Sequence, residues 1–183
     1  MGRAAIAGLL AHADAQCALG AATRNSYRRL QPGSWAPAHR CWGFGNRAAL
    51  VRVPGHGPGR HIEYRLGDAS ANPYLHATGL LAAIGHGLDR QLTLPEPAVI
   101  DVGHLSDDEA LAAGFDRLPT GLLPALSALD TDAILGEALG PVIREHYPRV
   151  KRFELELGER VPADEATVEG ILQWDRRTYL EAV

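Results

Sequence analysis

The stretch from Asn46 to Leu66 limits the chain's options most. Two short runs of strand-forming residues flank a Pro/Gly-rich loop, Pro54–Gly59, which reads as a hairpin with a connection longer than the tightest turns. Side chains on a strand alternate between faces. In the second run Ile62, Tyr64 and Leu66 therefore point one way, as core, and His61, Glu63 and Arg65 the other. Leu50 and Arg52 share a face in the first run, which sets another cation on the neighbouring strand. The Glu63/Arg65 face fits a solvated edge with a weak charge pair worth ~0–1 kcal/mol. It also fits a site in which cations around one carboxylate receive an anionic substrate and a divalent metal, a reading that the sequence on either side favours.

A chain of 183 residues can bury one domain's core. Its net charge of -4 gives no general pull toward nucleic acid or a membrane surface, and Glu63 among the arginines also disfavours nucleic acid. Cys17 and Cys41 have neither metal-ligand spacing nor the density of a disulfide framework, so both read as free thiols in a reducing, cytoplasmic setting. Ala4–Ala11 loosely resembles a secretory signal, but His12 and Asp14 interrupt it. No run approaches the ~20 apolar residues of a membrane span.

Residues 4–20 read as one amphipathic helix with Ile6, Leu9, Leu10, Ala13 and Cys17 on its apolar face, closed by a left-handed Gly20. A loop dense in arginine and aromatics follows, Thr23–Pro37. Asn72 fits a helix N-cap and Pro73 the first helical position. That helix runs to about Leu88, with Tyr74, Leu75, Thr78, Leu81 and Leu88 on one broad face and Gly85 and Gly87 loosening its end. Leu92–Val102 is a connection. Ser106 to Glu109 is a capping-box pattern opening a helix that stops at Gly114. Leu118, Leu122, Leu126 and Leu129 keep helical spacing. Gly140 ends one short helix, Val142 to Leu155 forms a longer one, and Val161–Val183 is helical with Val168, Ile171, Leu172 and Tyr179 inward. Strands before residue 67 and helices after it make the class α+β.

Several segments, in order, resemble the C-terminal part of the glutamine synthetase catalytic domain. They are Asn25 to Leu30 with Pro32-Gly33, Trp42-Gly43 with Asn46-Arg47, Arg52 to Pro54, Ile62 to Arg65 and Ala71 to Leu75. Leu118-Pro119 with Leu122, Lys151 to Glu154, and Trp174 to Arg177 with Tyr179 are similar too. The resemblance implies a partial catalytic domain, residues 1–183, lacking the family's small N-terminal domain and first catalytic strands. It implies an ATP-dependent ligase that activates the glutamate side-chain carboxylate as an acyl phosphate, which ammonia or an amine then attacks. ATP and Mg²⁺ (or Mn²⁺) are implied, as are glutamine biosynthesis and ring-shaped homo-oligomers of the complete protein.

The resemblance also carries roles position by position. Arg29 and Arg65 resemble holders of the glutamate carboxylate. Arg47 resembles the arginine that touches both glutamate and the ATP phosphates, and Arg52 a phosphate-side arginine, so both are candidate catalytic groups. Glu63 resembles a nucleotide-side metal ligand. Tyr27, Trp42 and Tyr74 read as packing residues. Three positions depart from the family. Trp35 stands where ammonia-using members have a glutamate, which suits an organic amine and points to the γ-glutamyl-amine ligase branch, polyamine ligases included. His61 replaces an arginine facing ATP. The hairpin loop is short and lacks the family's lysine, with Pro58 near that place. One carboxylate supplies too few oxygens for a two-metal site, so the isolated chain is expected to be inactive and its sheet to have an open edge. A non-catalytic truncated remnant is the alternative.

Overall fold

The computed structural model describes residues 2–159 and 168–179. It opens on two helical segments, α1 (Gly2–Ala11) and α2 (Ala13–Gly20). The single amphipathic helix expected over 4–20 is thus interrupted at His12. Its sides are not divided either: residues 5–10 of α1 and every residue of α2 except Asp14 are buried. A segment built of alanine, leucine and glycine can be packed all round, which is the pattern of a central helix. Gly20 has no left-handed φ. A Cβ there would lie 2.6 Å from Cε1 of His76, so the glycine serves a close approach.

The expected hairpin forms between β2 (Val51–Val53) and β3 (Glu63–Tyr64), which are antiparallel with Val51 opposite Tyr64 and Arg52 opposite Glu63. A further strand, β1 (Trp42–Phe44), runs parallel to β2 and completes a 3-stranded sheet in the order β1-β2-β3. Leu66 is fully buried and Tyr64 packs against the core. Ile62, expected on the same face, is 39% exposed, because regular pairing begins only at Glu63. The open edge expected of this sheet is covered on the β1 side. Ala98 N–H donates to Trp42 O at 2.7 Å, and the indole Nε1 of Trp42 donates to Pro95 O at 2.8 Å. The connection over Leu92–Val102 thereby shields backbone groups that would otherwise template association.

Helix α3 (Pro73–Asp89) starts as its sequence dictates, the Asn72 side chain accepting from the N–H groups of Tyr74 and Leu75. Its inward face is different from the one expected. Gly79, Ala83 and Gly87 are buried, whereas Tyr74 is 81% and Leu81 70% exposed. Small residues win because α1 crosses here at backbone distance: a Cβ on Gly8 would sit 2.0 Å from Ala83 O, and one on Gly87 2.2 Å from Ala4 O.

The capping box of Ser106 and Glu109 opens α4 (Asp107–Ala112). Leu122, Leu126 and Leu129 are buried along α5 (Leu122–Thr131), with Leu118 buried just ahead of it. In α6 (Ala133–Glu159) the positive φ of Gly140 breaks the helix where expected. Part of the last expected helix appears as α7 (Val168–Tyr179). Residues 161–167 and 180–183, and the side chains of Val168 and Ile171, lie outside what is described. Leu172 is 43% exposed rather than inward, and Tyr179 is half-buried. Both cysteines are buried free thiols whose ionisation burial opposes; the Cys41 thiol is pushed up to about 11. No described helix is long and apolar enough to cross a membrane.

Candidate functional site

The β2–β3 register decides where the charges meet. Residues directly opposite on an antiparallel pair point to one face, so Arg52 and Glu63 face each other. Arg52 Nη1 lies 3.0 Å from Glu63 Oε2, and Arg65 Nε donates to Glu63 Oε1 at 3.0 Å. One carboxylate thus sits between two guanidinium groups, as the alternation of residues 63 and 65 indicates. Arg65 Nη2 also donates to Trp35 O at 2.9 Å. Arg65 Nη1 and Arg29 Nε are buried without an acceptor among the described residues. Such donors in a native fold call for an explanation.

The loop Thr23–Pro37 is braced from several sides. Thr23 caps the 3-10 turn Arg24–Arg28 by accepting from Ser26 N. Ser34 Oγ donates to Arg29 O at 2.7 Å, and Gly33 N–H to Gly103 O at 2.7 Å. Arg29 Nη2 donates to Leu66 O, which ties it to the residue after Arg65. On this fixed backbone the Trp35 indole is 81% exposed. Arg47 is exposed and forms no hydrogen bond or ion pair with another described residue; it shares a cavity with Trp35. His61 lies ahead of the paired strand residues, its Nδ1 3.1 Å from Gly59 O. It lines a separate cleft over Trp42, Phe44 and Val53, where the Arg60 guanidinium rests 5.1 Å from the Phe44 ring centre. Arg29, Arg52, Glu63, Arg65 and Trp35 are therefore one constellation, Arg47 stands beside it, and His61 does not touch it.

Tyr27 and Trp42 are buried packing residues, as expected, the Tyr27 hydroxyl donating to Cys17 O at 3.1 Å. Tyr74, expected to pack as well, is exposed because Asn72 and Pro73 start α3 at the surface. Among the described residues no group of three or more His, Cys, Asp or Glu converges as a metal cage. Glu63 fits a divalent cation as one oxygen donor among several, the usual way a carboxylate shares such an ion with phosphates and water.

Asp101 and His104 enter the cavity beside Trp35 and Arg47 from the connection before α4, and Asp175 of α7 braces the loop that carries Arg29. The buried Asp175 carboxylate stands 3.2 Å from Arg24 Nη2 and 3.0 Å from Arg28 Nη2. Separations of this size in sequence are invisible to periodicity.

A family model described as the catalytic domain of glutamine synthetase matches residues 1–167. The chain belongs to the glutamine synthetase family. A glutamine synthetase of Methanocaldococcus jannaschii is 41% identical over 150 residues, covering 81% of this chain and 33% of the relative. One from Methanococcus maripaludis is 36% identical over 177 residues, covering 96% and 38%. Among solved structures, a GmaS/ADP complex superposes with a TM-score of 0.76 at 30% identity, covering 98% of this chain and 39% of the other. A novel glutamine synthase homologue superposes at 0.72 with 31% identity, covering 94% and 38%. The chain spans about a third to two-fifths of the length of these glutamine synthetase relatives.

Proposed function

We propose that this chain is part of an ATP-dependent carboxylate–amine ligase, and that Arg29, Arg47, Arg52, Arg65, Glu63 and Trp35 are its share of the active site. The reading rests on one observation, the Arg52–Glu63–Arg65 cluster on the β2–β3 face of a chain in the glutamine synthetase family. A carboxylate oxygen is a poor leaving group, so the glutamate side chain must first take the terminal phosphoryl group of ATP. That approach brings anion to anion. Arg52 and Arg47 offset the repulsion and stabilise charge building on the transferred group. Arg65 and Arg29 hold the amino acid's carboxylate, their planar forks suiting two oxygens at once. Glu63 contributes one oxygen to Mg²⁺, which, when bound, neutralises phosphate charge. His61 lies on the nucleotide side. The second step forms the amide bond to ammonia or an amine and releases phosphate.

Trp35 bears on the amine. An indole cannot accept a proton from ammonium, but its face attracts alkylammonium groups. An organic amine is therefore favoured over ammonia. Because Glu63 brings a single carboxylate, turnover by these 183 residues alone is not expected, and rings of subunits belong to a complete protein. The test is equilibrium titration with ADP–Mg²⁺. Saturable binding, weakened at least about tenfold in R52A and unchanged in E145A at an exposed position of α6, supports the reading. No binding, or equal binding by R52A, overturns it. Release of phosphate from ATP by the purified chain with Mg²⁺ and glutamate would overturn the expected inactivity.

A further inference from the structure

Arg117 stands outside the arginine cluster, yet its guanidinium reaches both ends of the loop that carries Trp35. Residues 38–40 meet residues 116–118 in an antiparallel bridge of His39 with Arg117. Arg40 N–H donates to Asp116 O at 2.8 Å, and Leu118 N–H to Ala38 O at 3.0 Å. From that bridge Arg117 Nη1 donates to Ala38 O at 2.6 Å, and Nη2 donates to Leu30 O and to Gln31 Oε1, each at 3.0 Å. Its Nε lies 3.1 Å from Asp107 Oδ1, at the start of α4, so a carboxylate anchors the other side of the fork. Leu30 and Ala38 are both buried, and the Arg117 side chain is 16% exposed. Between these ends the loop carries groups of the candidate site. Arg29 directly precedes Leu30, and Trp35 O accepts from Arg65 Nη2. The Trp35 indole is exposed, so its place is set through the backbone rather than by packing of its ring.

We propose that Arg117 is the positioning residue of this loop: its fork, bonded to Leu30, Gln31 and Ala38, holds Arg29 and Trp35 beside the Glu63–Arg65 face. The consequence for substrate rests on the ligase reading and deepens it, since Arg29 is a holder of the amino acid's carboxylate there. A planar guanidinium spans acceptors lying in different directions, whereas a lysine nitrogen is a single point on a flexible stem. R117K therefore keeps a charge beside Asp107 and loses the bridge between the loop's two ends. Q31A, at an exposed position, removes one of the acceptors together with the Gln31 bond to Tyr27 O.

Hydrogen exchange of the 183-residue chain, read by mass spectrometry, tests the hold on the loop. Residues 30–38 should exchange at least about tenfold faster in R117K while β2 is unchanged, because a local opening leaves the core protected. Q31A should raise exchange in the same segment by a smaller factor, and it decides by the same criterion should R117K fail to fold. Unchanged exchange in the loop, or an equal rise in β2, overturns the proposal. Titration tests the consequence. With ADP–Mg²⁺ bound, R117K should weaken L-glutamate at least about fivefold and leave ADP–Mg²⁺ within about twofold, because Arg52 and Glu63 lie on the sheet and keep their charge-assisted contacts. An arginine that only supports the fold would weaken both alike. Both ligands weakened alike, or glutamate unaffected, overturns the positioning role. A wild-type chain that binds neither ligand fails the ligase reading, and the exchange difference then decides the hold of Arg117 on the loop by itself.

Discussion

Glu63 spends one oxygen on Arg52 and the other on Arg65, yet its side chain remains partly open to solvent. Exposed ion pairs contribute little to folding. E63Q should therefore cost at most about 1 kcal/mol of stability in urea denaturation while weakening ADP–Mg²⁺ several-fold; a large stability loss with unchanged binding would make the cluster purely structural. The half-buried carboxylate of Asp132 behaves oppositely. Asp132 is bonded through Oδ2 to His12 Nδ1 at 2.6 Å and through Oδ1 to the Leu135 N–H at 3.0 Å, and His12 Nε2 meets His86 Nδ1 at 2.9 Å. Burial alone raises the carboxyl's pKa, but the bonds from His12 and the α6 backbone outweigh it and hold the group below its ordinary value. A depressed folded-state value means stability that is present above the unfolded value and lost as pH falls through the folded one. Wild type should accordingly lose stability more steeply than D132N below about pH 4; parallel acid-unfolding curves would refute it. His12 itself looks, in the sequence, like an interruption of an apolar helix. Its two ring partners lie 74 and 120 residues away, so the satisfied triad could not be seen there.

Among elements, the α1–α3 crossing carries the sharpest steric constraint. Overpacking a tight contact costs about 1–3 kcal/mol, occasionally more. G8A and G87A should each lower the melting temperature by several degrees, since the added methyl meets backbone carbonyl groups that cannot move aside. G85A has open space around its Cβ. It should be neutral or stabilising by up to about 1 kcal/mol, the helix-propensity difference. Equal effects at positions 85 and 87 would contradict the packing. The same crossing explains what the sequence misstates. Leucine spacing suggests that Leu81 faces inward in α3, but a helix wedged against α1 buries Gly79, Ala83 and Gly87 and leaves Leu81 and Leu88 outside. Local chemistry was legible wherever the cause is local: the Asn72 and Ser106 caps, the Gly140 break and the β2–β3 alternation all stand where the residues put them. Strand β1, its parallel pairing and the cover over its edge were not, because each depends on partners distant along the chain.

At the scale of the whole molecule, ligand affinity and folding stability are linked. A ligand that binds only the folded state at about 100 times its Kd adds about 2.7 kcal/mol. For a chain of this size that is a rise of about 5–10 °C in melting temperature. The site's composition fixes which ligand can produce it. Mg²⁺ favours near-octahedral oxygen coordination and is commonly shared between one or two carboxylates and substrate phosphates. Here Glu63 is the carboxylate on the cluster face, already flanked by Arg52 and Arg65, so the bare cation must displace two guanidinium contacts for one ligand bond. A nucleotide changes the balance, since its phosphates supply further oxygens and give the arginines new anions to hold. Mg²⁺ alone should leave the melting temperature unchanged, ADP alone should raise it slightly, and the two together should give the full shift. E63Q should reduce the combined shift toward that of ADP alone, whereas R52A should diminish both nucleotide responses. Stabilisation by Mg²⁺ without nucleotide, or a combined shift indifferent to E63Q, would place the cation elsewhere and remove Glu63 from the site.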